Sequence, residues 1–383
     1  MSRKRSIDEI NEKIRKGRAV VLTAEQVAAM GRESTPAEIA EKVDVVTTGT
    51  FGPMCSSGMF INFGHTDPPM RMERITLNNV PVFGGIAAVD AYIGATETAL
   101  PHDQYGGAHV IEELIAGKDV LMQASAKGTD CYPRTEVKTL INKATVNEMI
   151  MFNPRNAYQN YNVAVNSTSK MKFTYMGTLL PSFGNATFST SGELSPLLND
   201  PEMRTIGIGT RIFFGGTTGY VAWHGTQFNT GKPVNEHGVP IGNSATLALI
   251  GNAKEMSTRF IRAAYFEKYG VSIFVGVGIP IPVLDEEMAQ RVMIRNSQIE
   301  TNIIDYGSPG HDVLGRANYG DLFSGEITLN GKKIRTAPLS SVRVAREIAE
   351  TLRREITEGR FMLTAPVEAF RKTSGLNSLD VRL

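Results

Sequence analysis

Apolar residues along this chain recur at two different periods, and the alternation between them predicts the elements. Behind Ser6, the residues Ile7, Ile10 and Ile14 follow helical spacing, Ser6 and Glu9 form an S-x-x-E capping pattern, and Gly17 supplies the stop. Ala19 to Thr23 (AVVLT) is then a short β-branched run of the kind a buried strand presents. The same order returns near the C-terminus, where VRVAREIAETLRREI over 342–356 is amphipathic and is followed by Gly359 and the apolar FMLT of 361–364. The echo, IRKGRAVVLTAE against ITEGRFMLTAPV, fits a duplicated helix-strand unit, but any two helix-Gly-strand junctions share this look, and the second reading is favoured.

Between these ends the pattern predicts strands at 43–48, 75–77, 120–123, 172–175, 210–214, 271–277 and 325–329. It predicts helices at 35–42, 108–116, 146–152, 247–253, 258–269 and 286–294, with Thr145 and Glu148 as a second capping box. Such alternation places the chain in the α/β class, with a mixed sheet flanked by helices and glycine-rich active-site loops at strand ends. No Ser, Pro or Gly-rich linker and no charge block divides it, so residues 1–371 are expected to form one domain and the polar stretch 372–383 a disordered tail.

Composition narrows the function classes. The 383 residues are 42% hydrophobic, enough for a large core. Lys plus Arg number 40 against 39 for Asp plus Glu, a balance that gives no electrostatic reason to expect nucleic acid or an anionic membrane surface. MSRKRSIDEINEKIRKG lacks the apolar run of a signal peptide and no window approaches 18 unbroken apolar residues, so a soluble, cytoplasmic protein is expected. Many of the 37 glycines cluster, as in GTFGPMCSSGMFINFGHTDPP and IGIGTRIFFGGTTG. Gly207 and Gly209 resemble the start of a dinucleotide fingerprint, yet no G-x-G-x-x-G precedes a helix, and phosphate-loop, zinc-protease and hydrolase motifs are absent.

The chemistry is concentrated in two cysteines. Cys131 sits in GTDCYPRT after one predicted strand and Cys55 in GPMCSSG after another, both in polar, glycine-rich loops of the kind that hold reactive groups. Moving a thiol from a pKa of about 8.5 to about 6.5 requires roughly 2.7 kcal/mol of differential stabilisation, so an adjacent cation is needed, and Arg134 is the nearest candidate. The competing reading is that free cysteine acts as a small buried hydrophobe. The six histidines, among them His65, His102, His109, His224 and His237, do not fall at metal-ligand spacings, and two cysteines cannot supply the four thiolates of an ordinary iron-sulfur cluster. No bound cofactor or metal is therefore expected, and electrons would come from a partner.

Several strings together carry a family resemblance: GPMCSSG, KGTDCYPRTEV, FNPRNAYQNYNVAVN, YMGTLLPSFGNATFSTSGELSPLLNDP, RTIGIGTRIFFGG and GYVAWHGTQ. Over about residues 5–370 the chain resembles the homocysteine biosynthesis family, whose members are L-aspartate semialdehyde sulfurtransferases of methanogenic archaea and anaerobic bacteria. Many relatives continue into a pair of CBS domains; this chain stops before such a segment, so regulation through them is not expected. The resemblance implies conversion of aspartate semialdehyde, sulfide and two electrons into homocysteine and water, with a ferredoxin-like iron-sulfur protein as donor. It implies that Cys131 carries the sulfur as a persulfide and that Cys55 is its partner thiol; discharge through a Cys55–Cys131 disulfide and direct reduction of a bound thioaldehyde are both compatible with the sequence. For the substrate carboxylate Arg134, Arg155 and Arg211 are candidates, for its ammonium Asp130, and for protonating the departing oxygen His65. Both thiols are then expected to open into one cavity. A general persulfide carrier and a ligand-binding protein without turnover remain as alternatives, and a homo-oligomer is compatible with the sequence.

Overall fold

The computed structural model describes residues 4–156, 158–373 and 375–380. Its α/β character agrees with the sequence reading: eight helices pack around sheets of thirteen, six and three strands and two short hairpins. The large sheet is antiparallel throughout. From one edge it runs through the strands Glu136–Ile141, Val120–Ser125, Arg74–Leu77, Val80–Phe83, Asp90–Gly94, Gly58–Asn62 and Glu148–Asn156. It continues through Leu247–Asn252, Thr217–His224, Arg211–Phe214, Gly270–Gly278 and Ile261–Phe266, with Thr50–Pro53 also paired to Gly270–Gly278. The six-stranded sheet and the three-stranded sheet, which joins Val21–Thr23, Val45–Thr47 and Pro280–Pro282, are mixed.

The helix Gly107–Ile115 explains the shape of the large sheet. It is apolar on most of its surface, with Ala108, Val110, Ile111, Leu114 and Ile115 buried. It packs against Val120–Ser125 near one edge of the sheet and against Ile261–Phe266 at the other. A helix of nine residues is about 14 Å long, whereas a dozen strands laid flat would span roughly 50 Å, so the sheet has to curl around it. Gly107 permits the approach, since a Cβ there would fall 1.9 Å from the Gly94 carbonyl oxygen.

The echoed ends meet in space. Ile10 and Ile14 of the helix Ile7–Arg15, Ile348, Leu352 and Ile356 of the helix Val342–Thr357, and Phe361 and Leu363 form one buried cluster. The buried Asn11 side chain binds both the N–H and the C=O of Leu363, taking the place of a strand partner for the 361–364 run.

Three predicted helices are strands. Residues 146–152 instead lead into the strand Glu148–Asn156, and 247–253 and 258–269 contain the strands Leu247–Asn252 and Ile261–Phe266. In the first, Met149 and Met151 face the core while Ile150 and Phe152 lie half-buried on the other face, so apolar side chains on both faces hide the period-2 signal. Thr145 closes a local turn with Asn142 rather than capping a helix. Within the expected tail, Thr373 exchanges three hydrogen bonds with Phe228 and Thr230, while residues 374 and 381–383 lie outside the described residues.

Candidate active site

A cavity of about 330 Å³, within the size range of small-molecule sites, lies where one rim of the large sheet meets the loops of the six-stranded sheet. Its floor is the turn between Thr50–Pro53 and Gly58–Asn62. The Met54 N–H donates to the Ile273 carbonyl at 2.7 Å, and Ser57 closes the turn with its hydroxyl on the Met54 carbonyl at 2.7 Å, leaving Cys55 at the apex. The buried Asn153 ties this turn to the opposite wall: its amide donates to Ser57 Oγ at 2.5 Å and its oxygen accepts from the Arg155 N–H at 3.1 Å. Ser56 Oγ adds a bond to the Arg155 carbonyl. Gly52 is glycine because Ser340 crosses it; a Cβ would fall 2.5 Å from Ser340 Oγ.

Cys55 is half-buried, with its Sγ 3.2 Å from Ser272 Oγ and 3.9 Å from the hydroxyl of Tyr269, which donates to it. Burial and the neighbouring sulfur push the Tyr269 phenol up to about 12, so it stays protonated at neutral pH. Tyr158, Tyr161 and Tyr175 also line the cavity. The Tyr161 hydroxyl donates to Tyr175 at 3.0 Å, and Tyr175 shares a 2.7 Å bond with Tyr306. Burial raises Tyr158, Tyr161 and Tyr306, with the Arg155 cation opposing the effect at Tyr158. Among the described lining residues there is no carboxylate and no imidazole, and Arg155 is their one cation. Gln227, on the rim, has a φ of 61°, a left-handed backbone that a non-glycine residue adopts only when its surroundings impose it.

The expected residues fall into three places. Cys55 and Arg155 share the cavity. Cys131 lies elsewhere, at the exposed tip of the hairpin joining Val120–Ser125 to Glu136–Ile141, where Thr129 and Tyr132 exchange backbone hydrogen bonds around it. The registers fix the separation. Ser125 pairs with Arg74, Arg74 with Phe83, Phe83 with Tyr92 and Tyr92 with Phe60; from this row the chain reaches Cys55 past Gly58 at one rim and Cys131 past Ser125 at the other. Four interstrand spacings, about 19 Å along the sheet, add to that separation. The expected cavity common to both thiols is therefore absent from the single chain.

Asp130, Arg134 and His65 accompany Cys131. His65 stacks on Tyr132 at 6.3 Å, and Arg134 clamps backbone carbonyls, those of Asp67 and Pro68 with its side chain and that of Pro69 with its N–H. Asp130 is exposed in the same turn and faces no substrate cavity with Cys55. Arg211 occupies a third place, over the Phe361 ring and bonded to Thr218. The cavity's tyrosines and Ser272 were missed; two of them, Tyr158 and Tyr161, stand in the same string as Arg155, FNPRNAYQNYN, but nothing in their spacing marks them as a wall rather than core.

A family model described as homocysteine biosynthesis enzyme, sulfur-incorporation, matches residues 19–363. The chain belongs to the homocysteine biosynthesis family. It is 50% identical to an L-aspartate semialdehyde sulfurtransferase of Methanocaldococcus jannaschii over 95% of this chain and 73% of that protein. It is 46% identical to a protein of the same name from Methanosarcina acetivorans over 98% of this chain and 74% of that protein. An uncharacterized protein of Methanothermobacter thermautotrophicus is 28% identical over 84% of the chain. No solved structure matches it significantly. In this homocysteine biosynthesis enzyme a thiol, Cys55, and a guanidinium, Arg155, line the same cavity. Among the described residues no cluster of three or more His, Cys, Asp or Glu side chains could hold a metal ion, and no helix is long and apolar enough to cross a membrane.

Proposed function

We propose that this chain incorporates sulfide sulfur into L-aspartate 4-semialdehyde to give L-homocysteine, with the aldehyde held in the Cys55 cavity. The balance is RCHO + H2S + 2 e⁻ + 2 H⁺ → RCH2SH + H2O, so a two-electron donor, such as a ferredoxin-like iron-sulfur protein, is required. The observation that carries the reading is that Cys55 and Arg155 line one cavity of small-molecule size in a chain half identical to a named semialdehyde sulfurtransferase. Arg155 binds the substrate carboxylate, a task for which a planar guanidinium is suited. Cys131 carries the sulfur as a persulfide: hydrosulfide attacks a disulfide between Cys131 and Cys55 of another copy, leaving Cys131 as the persulfide and Cys55 as the departing thiolate, so no further oxidant is needed, and the exposure of Cys131 keeps that bond open to sulfide. Because its hairpin is held at the opposite rim, the handover to the Cys55 cavity runs between two copies of the chain.

The exposure of Cys131 also favours a second reading, a persulfide carrier serving another acceptor. An anaerobic assay with semialdehyde, sulfide and reduced ferredoxin separates them. Semialdehyde-dependent homocysteine formation, lost in Cys55→Ser and in Cys131→Ser, is expected. Persulfide formation without semialdehyde-dependent turnover would leave only the carrier, and full activity of Cys55→Ser would remove that thiol from the reaction.

A further inference from the structure

Adding a sulfur anion to an aldehyde turns the carbonyl oxygen into an alkoxide, and expelling that oxygen as water requires protons. An acid has to stand in the cavity. His65, the candidate from the sequence, is stacked on Tyr132 at the other rim, and the cavity wall contains neither a carboxyl group nor an imidazole. The proton donors left there are phenols and hydroxyls. Tyr161 and Tyr175 spend their hydroxyls on each other and on Tyr306, and Tyr158 is more deeply buried than Tyr269. Tyr269 differs, because its hydroxyl points at the Cys55 sulfur, 3.9 Å away, from the turn between Ile261–Phe266 and Gly270–Gly278. It is also 42% exposed, so the proton it gives up can be replaced from water.

We propose that Tyr269 is the general acid of this site, a reading that rests on the function proposed above. As the C–S bond forms at the aldehyde carbon, the C=O π pair moves to oxygen and takes the proton from the Tyr269 hydroxyl; the phenolate then recovers a proton from solvent. Between turnovers the same O–H donates to the Cys55 sulfur. A phenol held up to about 12 is protonated at neutral pH and weak enough to donate to an alkoxide rather than to bulk water.

Two measurements test this. In a Cys131→Ser background Cys55 is the chain's single thiol, and the rate of its alkylation by iodoacetamide at fixed pH reads whether the Tyr269 hydroxyl holds the sulfur. Tyr269→Phe keeps the ring and removes only the hydroxyl. It is expected to change that rate by about threefold or more and, in the chain with both cysteines, to lower kcat by about 100-fold or more while KM for the aldehyde stays within about threefold. An unchanged alkylation rate, or turnover within about twofold of wild type, overturns the proposal. If the unmutated chain makes no homocysteine, the functional reading falls, and the alkylation rate still decides whether the Tyr269 hydroxyl holds the Cys55 sulfur.

Discussion

On the proposed reading the substrate carboxylate is held by Arg155, since no other cation stands among the described lining residues of the cavity. Arg155→Lys keeps the charge and loses the planar fork; it is expected to raise KM for the semialdehyde roughly 10-fold with a smaller change in kcat, measured by initial rates. Asn153 acts through others, since its two amide atoms join the Cys55 turn to the Arg155 backbone. Asn153→Ala leaves the Ser57 hydroxyl and the Arg155 N–H without that partner in a buried place, and a loss of about 1–3 kcal/mol in denaturant unfolding is expected. A loss below about 0.5 kcal/mol would mean that water or a backbone shift restores both bonds. Cys55 could be singled out from sequence as one of two thiols, set among glycines, and Arg155 because it stands in a string that carries the family resemblance. The tyrosines could not, because an aromatic ring in a wall and one in a core have the same local sequence pattern.

At the scale of elements, the sequence was legible where local chemistry decides and illegible where the sheet does. Ser6 and Glu9 cap Ile7–Arg15 with the expected reciprocal bonds, and the helix expected at 35–42 is Pro36–Lys42, capped by Thr35 and Glu38, whereas the box expected at Thr145 and Glu148 caps no helix because Glu148 enters a strand. Leu247–Asn252 and Ile261–Phe266, rich in Leu and Ala, have helical propensity that neighbouring strands override. The cap of Glu286–Val292 gives a prediction at this scale. Asp285 accepts from the Met288 N–H at 2.9 Å and holds Arg204 through both carboxylate oxygens, at 3.0 and 2.6 Å. The Arg204 hydrogen bonds keep its carboxyl below the usual carboxylate range. A depressed folded-state pKa contributes stability that is fully present above the unfolded value of 3.8 and is lost as pH falls through the folded value. Asp285→Ala is therefore expected to cost about 1 kcal/mol or more at pH 7, with wild type and variant converging below pH 3.8 in acid titrations followed by circular dichroism. A difference that persists unchanged into strong acid would assign the loss to packing instead.

The arrangement of the two thiols belongs to the whole molecule, and only the curl and register of the large sheet reveal it. Each cysteine follows a strand and sits in a polar loop, so from sequence alone the two loops can share an edge; the antiparallel order instead sends one to each rim. Arg134 holds the Cys131 hairpin there through three backbone carbonyls. A disulfide needs Cα atoms about 4.4–6.8 Å apart, which four interstrand spacings and opposite rims do not allow within one chain. Mild oxidation of the purified protein with diamide should therefore leave the monomer without an internal Cys55–Cys131 bond, and any crosslink that forms should run as a dimer on a non-reducing gel and disappear in Cys55→Ser and in Cys131→Ser alike. Peptide mapping of that dimer should recover Cys55 of one copy joined to Cys131 of another, the geometry that a handover between chains requires. A monomer two mass units lighter, with Cys55 and Cys131 joined in one chain, would show instead that the hairpin leaves the 65–69 loop and crosses to the cavity, and the sulfur would then travel within a single molecule.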